Sequence, residues 1–479
     1  MRGRHSTLAL LLLLVAPRWI ATAQPKADGW VLSGTDRTAY AMEAKGKVTD
    51  ADGATISLRC VNPPASGFGT SATTLPAVSY RQRRVTLSAD VETAGVKNGA
   101  SLWLRVDREQ QMLLLVNGME QPLRGDTAWT RREASLPVPS DATSLVLGVL
   151  LMPGGGSVTV RNLRLEAGPA VASGGAIAPA ALKVLDAAIS IVKANALRAD
   201  SVQWATVEPE VRGFAAGAKQ TSDVYPAIRL LLGKLGDNHS FFMPPTATSE
   251  FKSGGAQNPP ADVRALPGGI GYIGVPAYSG VAAEAARAYA AREHEALAAM
   301  RTSAVCGWVV DLRANGGGNM WPMLAGLRPL LGDGVLGSFE MRHGKSEKWT
   351  AGDRRFAVTP SVALRDLQSA WVAVLTGPRT ASSGEFVTIA FRGRPRTRSF
   401  GLPTAGLSTG NASFPLPDGS MILLTTTVGV DRTGRRYGGK VDPDEVVEAG
   451  KPVPPSEDAT LAAAIGWLKQ TSSCGEAMR

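Results

Sequence analysis

The stretch Val309-Val310-Asp311-Leu312-Arg313-Ala314-Asn315-Gly316-Gly317-Gly318 constrains this chain more than any other, because an apolar strand runs straight into a charged, glycine-rich turn. Consecutive glycines let the main chain approach a neighbour closely and point bare N–H groups at a developing negative charge, which is the basis of an oxyanion hole. A glycine run after a strand also serves as a plain tight connection. The same grammar recurs downstream, where Trp371 to Thr376 reads as a strand, Gly377 to Ser382 as a small-residue turn and Phe386 to Phe391 as a helix. Such a turn lifts a serine hydroxyl clear of a sheet, and the helix N-terminus behind it supplies free N–H groups and a partial positive charge. Ser382 is the candidate nucleophile. Its competing role is that of an N-cap, since Ser382 and Glu385 have capping-box spacing.

A serine hydroxyl is a poor nucleophile near neutral pH and needs a base. The chain has 4 histidines, His5, His239, His294 and His343. His5 falls in a leader-like segment, His294 in an alanine- and glutamate-rich run that reads as a solvated helix face, and His343 in a polar loop. His239 differs, because it sits in the sharp turn Gly236-Asp237-Asn238-His239-Ser240 at the end of the amphipathic segment Tyr225 to Leu235. It is the candidate base.

Together these residues resemble the carboxyl-terminal processing (tail-specific) serine peptidases and their relatives with a tricorn-type catalytic core. The resemblance covers roughly Ala178 to Glu448. It rests on Leu235 to Ser240 (Leu-Gly-Asp-x-His-Ser), Gly269 to Ile273, Asp311 to Gly318, Thr380 to Glu385 (Thr-Ala-Ser-x-x-Glu), Gly401 to Gly406 and the closing Val441-Asp442-Pro443-Asp444. Where the processing branch carries a dyad lysine, this chain has Leu407, so the resemblance implies the tricorn-like branch with Ser382 and His239. It further implies an oxyanion hole made by the N–H groups of Gly317 and Ser383. At the position where that branch carries an orienting glutamate this chain has Tyr437, and the nearest upstream acid is Asp431. Asp431, which also reads as a turn residue, and Tyr437 are the two candidates for the third catalytic member.

Arg2 and Arg4 precede the apolar run Leu8 to Ala16, and Ala21-Thr22-Ala23 has the small-x-small form of a cleavage site, so residues 1–23 read as a secretory signal peptide. No stretch reaches the length needed to span a bilayer, and the expectation is an exported protein, periplasmic or extracellular, without membrane insertion. Removing Arg2, Arg4 and Arg18 lowers the formal charge from +10 to +7, since 10 − 3 = 7. No aromatic-interleaved basic motif accompanies that excess, so nucleic acid is not expected as a partner. The 3 cysteines, Cys60, Cys306 and Cys474, are too few for a disulfide scaffold and lack metal-ligand spacing. Cys306 reads as core. No cofactor and no metal are expected.

Residues 24–166 are strand-rich, with alternating runs at Val85 to Val91, Leu102 to Val106, Leu145 to Leu151 and Val158 to Val160, and turn signals at Lys97-Asn98-Gly99 and Pro153 to Gly156. They predict an antiparallel β-sandwich that resembles the jelly-roll modules built like carbohydrate-binding domains. Trp103 and Trp129 are candidate platforms for a glycan or a peptide, as well as ordinary core residues. A Gly/Ala/Pro-rich linker, 167–179, leads to a small helical cap, 180–260, which delivers His239. The segment 261–450 alternates strands and helices and predicts an α/β core with a largely parallel sheet, reactive turns at the carboxyl ends of its strands; the resemblance makes this a crotonase-like fold. Residues 451–479 complete the chain as a C-terminal helix and tail. Between Phe242 and Gly268 there is no room for an inserted PDZ module. The reading is an exported serine peptidase that acts on a peptide or protein through an acyl-enzyme on Ser382. The alternatives are a noncatalytic peptide- or glycan-binding relative and an esterase using the same site.

Overall fold

The computed structural model describes residues 29–63, 67–109, 111–119, 121–170, 175–253, 258–300, 306–352, 358–360, 362–448 and 458–471. The expected signal peptide, His5 and Cys474 lie outside the described residues, as does part of the expected linker. The chain divides into two compact units, one within Val15–Pro244 together with Phe414–Leu423, the other Pro245–Ser413 with Leu424–Arg479.

In the first unit the strands are β1 (Val31–Gly34), β2 (Tyr40–Lys45), β3 (Ala54–Cys60), β4 (Gly69–Pro76), β5 (Arg83–Arg108), β6 (Gln111–Val116), β7 (Leu123–Pro137), β8 (Ser144–Leu151) and β9 (Ser157–Ala170). They form one connected antiparallel array of 9 strands. Its organiser is β5, which is 26 residues long. Its first half pairs with β7 and β9, and its second half with β6 and β8. The sequence predicts a turn at Lys97-Asn98-Gly99, but the chain does not break there. Register shifts between Val91 and Ala100 bend it instead, and Gly95 and Gly99 absorb the bend at φ 62° and 131°. The two wings so created bury the alternating residues Val85, Leu87 and Val91, and Leu104, Val106 and Leu147.

Three helices follow, α1 (Pro179–Asn195), α2 (Trp204–Phe214) and α3 (Tyr225–Gly233). They share the first unit with the strands. The fastening is specific. Gln111 Nε2 donates to the Gly233 carbonyl, and a Cβ on Gly233 would come within 2.2 Å of the Leu113 carbonyl oxygen. Lys234 Nζ, its side chain 5 % exposed, reaches Asp141 at 2.8 Å and Glu210 at 2.7 Å. A short strand, β10 (Phe241–Met243), ends the segment and pairs with Met421–Leu423.

The second unit opens with α4 (Pro245–Ser253), which fills the interval where a PDZ module is absent. Strands β11 (Asp262–Leu266), β12 (Ile270–Gly274) and β13 (Gly307–Asp311) follow, with α5 (Ala283–Met300) between the last two. The chain continues through α6 (Met320–Gly326), α7 (Arg328–Leu331), β14 (Val335–Met341), β15 (Ser346–Thr350), β16 (Val372–Thr376), α8 (Ser383–Phe391) and β17 (Thr397–Gly401). It closes with β18 (Thr409–Pro415), β19 (Met421–Asp431), β20 (Glu445–Val446) and α9 (Ala459–Thr471). The main sheet has the order β11-β12-β13-β16-β17-β20 and is parallel except for the β11 edge. Helices cover both faces: Met323, Leu327, Phe386 and Ile389 pack on Ile273, Val310 and Val374, while Ala464 and Leu468 pack on Val309, Ala373 and Phe400 on the other side. Full burial explains why these strands read as unbroken apolar runs. The helix expected over Met320 to Leu331 is two helices, because Pro329 opens α7 and cannot continue the hydrogen-bond ladder of α6. Outside this sheet, β14 pairs with β15 and with the Thr427–Asp431 end of β19.

Two expectations change here. His294 is not on a solvated face but 7 % exposed, and its Nε2 lies 2.9 Å from the Ala325 carbonyl; small residues around it let α5 approach α6 closely. Cys306 is disulfide-bonded rather than a bare core thiol, while Cys60 is free.

Candidate active site

The geometry of the nucleophile turn begins with strand register. β13 and β16 are adjacent and parallel, with Trp308 opposite Val372 and Asp311 opposite Leu375. Their carboxyl ends therefore release two turns side by side, the glycine turn after β13 and the serine turn after β16. The two turns are stitched together by hydrogen bonds: Leu312 N–H to the Leu375 carbonyl at 2.9 Å, Ala381 N–H to the Asn315 carbonyl at 3.0 Å, and Thr380 Oγ1 to the Leu312 carbonyl at 2.8 Å.

Ser382 occupies φ 52°, ψ −117° immediately before α8. Only a few per cent of non-glycine residues hold positive φ, and such a conformation costs on the order of 1–3 kcal/mol unless its surroundings enforce it. The enforcement is visible. Ser382 N–H donates to Glu385 Oε2 at 2.8 Å, Glu385 N–H donates to the Ser382 carbonyl at 2.9 Å, and the capping-box pairing expected from the spacing is present. Ser382 is therefore at once a cap and a residue on a strained elbow, which ordinary N-caps are not.

Gly317 lies directly against this elbow. A Cβ on Gly317 would stand 2.7 Å from the Ala381 carbonyl oxygen and 2.8 Å from the Ser382 Cβ, in a backbone at φ 100°. Its N–H, expected to meet the oxyanion, donates instead to Asn315 Oδ1 at 3.0 Å. Ser383 Oγ donates to the Gly318 carbonyl at 2.6 Å. The N–H groups of Gly318 and Ser383 donate no hydrogen bond among the described residues.

Asn315 is the residue that the sequence reading passed over within its own motif. Fully buried, it donates from Nδ2 toward the Val275 and Pro276 carbonyls at 3.1 and 3.2 Å and accepts from Gly317. A Cβ on Gly384 would fall 2.6 Å from its carbonyl oxygen. The preceding Asp-Leu-Arg is a brace. Arg313 grips Asp311 through Nε and Nη2 and reaches Asp458 through Nη1 at 2.8 Å, while Tyr272 donates its hydroxyl to Asp311 at 2.9 Å.

Glu385 was visible only as a capping partner and does more. Its Oε1 accepts from Thr404 Oγ1 at 2.5 Å and from Gly406 N–H at 2.9 Å, and its Oε2 from Leu407 N–H at 2.8 Å as well as from Ser382. The residue is fully buried. Burial pushes its carboxyl up to about 7, against the pull of those hydrogen bonds.

Asp431 and Tyr437 are brought together, with each other. Tyr437 donates its hydroxyl to Asp431 Oδ2 at 2.8 Å, and Asp431 Oδ1 accepts from Thr433 N–H, Thr433 Oγ1 and Arg435 N–H at 2.8, 2.6 and 3.1 Å. Burial raises the Asp431 carboxyl, but the Thr433 and Tyr437 hydroxyls and the turn N–H groups outweigh it, so its pKa is lowered. Burial and the Asp431 bond push the phenol upward. These bonds are those of a closed turn at the end of β19.

His239 belongs to the first unit. Its turn is organised by Asp237, whose Oδ1 accepts from His239 N–H at 3.0 Å and Ser240 N–H at 2.8 Å, and whose Oδ2 accepts from Ser240 Oγ at 2.6 Å. Asn238 takes the positive φ that the tight turn requires, 55°. The imidazole is 3 % exposed. Burial drives its pKa down to about 4, with Asp237 opposing, so the ring is neutral at pH 7. Among the described residues no cluster of His, Cys, Asp and Glu is arranged to hold a metal ion, and no helix is long and apolar enough to cross a membrane.

The tryptophans of the strand-rich half have other partners. Trp103 is 3 % exposed and donates Nε1 to Thr70 Oγ1 at 2.8 Å, so it is core. Trp129 is 38 % exposed, but the Arg161 guanidinium lies over its ring at 4.2 Å.

Adjacent parallel strands thus set a strained serine on one turn beside the glycines of the other at the carboxyl end of an α/β sheet. Residues 269–447 match the model of peptidase family S41. The chain is similar to the nisin-resistance protein of Lactococcus lactis subsp. lactis, 26 % identical over 299 residues that span 61 % of this chain and 88 % of that protein. A solved lipoprotein from Streptococcus agalactiae shares the fold, with a TM-score of 0.52 at 24 % identity over 62 % of this chain and 98 % of that one.

Proposed function

We propose that this protein is an exported serine peptidase in which Ser382 attacks a peptide carbonyl and His239 takes the serine proton. The imidazolium then protonates the leaving amine, and water, activated by the same imidazole, hydrolyses the acyl-enzyme and regenerates the hydroxyl. The carrying observation is the strained Ser382 elbow at φ 52° seated against Gly317. A neutral, buried imidazole is a competent proton acceptor, which supports His239. For the oxyanion we assign the N–H of Ser383 together with that of Gly318, because Gly317 N–H is already engaged by Asn315; Gly317 contributes the absence of a side chain. The adjacent parallel strands ending in reactive turns support a crotonase-like core, and the two-winged β5 array supports a jelly-roll-like module. The disulfide at Cys306 supports an oxidising compartment.

The relative named for nisin resistance makes short peptides the first substrates to assay. Reaction with a fluorophosphonate probe tests the reading: the wild type should label and Ser382→Ala should not, whereas equal labelling of both would place the nucleophile elsewhere. A noncatalytic binding role is favoured by one observation, the engagement of Asp431 and Tyr437 with their own turn. A wild type that fails to label but binds a peptide or glycan would support it. Ester hydrolysis by a labelled enzyme that leaves peptides intact would instead select the esterase.

A further inference from the structure

We propose that Glu385 is a positioning residue whose ionised carboxylate clamps the loop Thr404–Leu407 to the back of the Ser382 elbow, so that the nucleophile is presented only while the clamp is charged. This rests on Ser382 being the nucleophile.

The geometry is a four-donor cradle around two oxygens. Oε2 receives Ser382 N–H and Leu407 N–H, each at 2.8 Å. Oε1 receives Gly406 N–H at 2.9 Å and the Thr404 hydroxyl at 2.5 Å. Backbone N–H groups cannot reverse their polarity, so three of the four partners demand an acceptor. Thr404 is itself fixed, because its Oγ1 accepts from Val441 N–H at 2.8 Å. Protonating the carboxyl, or replacing it with an amide, puts a donor into a ring built of donors. With the residue fully buried, no water replaces the lost bond.

The cradle links the reaction centre to a loop that the mechanism does not otherwise use. Ala405 N–H also donates to the Thr380 carbonyl at 2.9 Å, so the loop is tied to the serine turn at both ends. Sharing one oxygen brings the backbone nitrogens of Ser382 and Leu407 close together. A loosened carboxyl therefore frees the elbow that holds Ser382 at positive φ and lets it relax toward an ordinary cap. The largest influences on Glu385 are burial and these hydrogen bonds. Around it, Ser382, Gly384 and Phe386 of α8, Asn315 of the glycine turn and Thr404 to Leu407 are all uncharged groups. The ionisation that matters is therefore its own.

The test uses the full chain and the variants Glu385→Gln and Glu385→Asp. In the wild type the phosphonate labelling rate should fall in two stages on acidification, near pH 7 with Glu385 and near pH 4 with His239, following the values to which burial shifts them. Glu385→Gln should lower the rate constant at least tenfold at pH 8, with the half-saturating probe concentration little changed, and should leave only the lower stage. Glu385→Asp should recover part of the rate and keep both stages. Amide exchange read by mass spectrometry supplies the second arm: peptides covering Ser382 and Thr404–Leu407 should exchange faster in Glu385→Gln than in the wild type at pH 8, and in the wild type their protection relative to the intrinsic exchange rate should be lower below pH 6 than at pH 8. Unchanged exchange in Glu385→Gln would overturn the clamp whether or not Ser382 reacts. Faster exchange with wild-type labelling and both stages intact would overturn the positioning role. Failure of the wild type to label at all would overturn the nucleophile assignment and with it the role given to Glu385 in presenting it, while the exchange arm still reports on the clamp.

Discussion

Ser382 is fixed by residues of its own sheet, through Asn315, Glu385 and Thr404, all within one unit and mostly through backbone bonds. His239 is fixed by a helix, α3, whose fastening lies in the strand-rich half, at Gln111, Leu113 and Asp141. Ser382 is thus placed by the register of parallel strands. His239 takes its position from side chains of the strand-rich half. The difference teaches that the β-rich half is more than an appended binding domain. It is the anchorage of the segment that carries His239.

The comparison breaks most simply at its centre. Ser382→Ala should abolish phosphonate labelling and reduce peptide cleavage by several powers of ten, as loss of a serine nucleophile does in other serine proteases, about 10⁶-fold, with circular dichroism and melting temperature near wild type. His239→Ala should follow, with a loss of roughly 10³-fold or more. Because burial holds the imidazole near 4, the rate that remains after Glu385 protonates should persist well below the ordinary histidine range of about 6.5. The sign for stability is the same. A folded pKa below the unfolded one means that the unfolded chain binds more protons between those values, so the folded state loses stability as pH falls through that window. Retention of most of the activity by His239→Ala would remove the imidazole from the mechanism.

Next in size comes the anchorage. Lys234→Met strips a 5 %-exposed ammonium from Asp141 and Glu210, and a buried pair broken on one side costs about 3–5 kcal/mol, discounted here to roughly 1–3 because Asp141 keeps partial access to water. Chemical denaturation of the full chain checks it. If the anchorage matters to the base, labelling should slow in folded Lys234→Met while the Ser382 amide stays protected. Normal labelling in a destabilised variant would reduce the strand-rich half to a passive neighbour.

What the sequence discloses follows the same division. The serine and glycine turns were legible because they are local: apolar strand, small residues and helix follow one another along the chain, and adjacent parallel strands put such turns side by side. The role of Asn315 was not, since it comes from carbonyls of Val275 and Pro276 some distance earlier in the chain. Glu385 read as a cap because spacing displays only its nearest partner, whereas Thr404, Gly406 and Leu407 arrive from a later loop. The bend in β5 looked like a break, because Lys97-Asn98-Gly99 has the composition of a turn and a bulged strand uses the same residues. His294 looked exposed because its neighbours are alanines and charges, and the helix packs tightly precisely where those side chains are small.

A smaller effect separates the two sides of α5. Glu293 is 2 % exposed, its oxygens make no hydrogen bond of ordinary geometry among the described residues although the Tyr289 hydroxyl is near enough to favour the ionised form, and any Cβ on Gly326 would collide with Oε2. Burial pushes its carboxyl up to about 8, the Tyr289 hydroxyl opposing in part. The folded state then holds a proton that the unfolded chain has released, so stability is full below the ordinary glutamate range and is lost as pH rises to about 8. Glu293→Gln should flatten that slope and melt higher than wild type at pH 9. An unchanged slope would mean the carboxyl finds a partner on ionisation. Catalysis at pH 7 should stay within about twofold, since this helix pair lies outside the Ser382 cradle.

The smallest expected effect concerns the third catalytic member. Tyr437→Phe removes one hydrogen bond to Asp431 and should cost about 0.5–1.5 kcal/mol of stability with little change in rate. Asp431→Asn disturbs more, because Oδ1 gathers the Thr433 and Arg435 groups. Its loss should again appear in the melting temperature rather than in turnover, since a carboxylate already occupied by its own turn has little capacity left to orient an imidazole. The contrast with an orienting role is large: in the serine-protease triad the corresponding Asp-to-Asn change lowers turnover about 10⁴-fold. A rate loss of that order in Asp431→Asn, or of about 100-fold or more in Tyr437→Phe at unchanged stability, would make that residue the third member of a triad. Two near-wild-type rates would leave Ser382 and His239 to act without a third member from either of these positions.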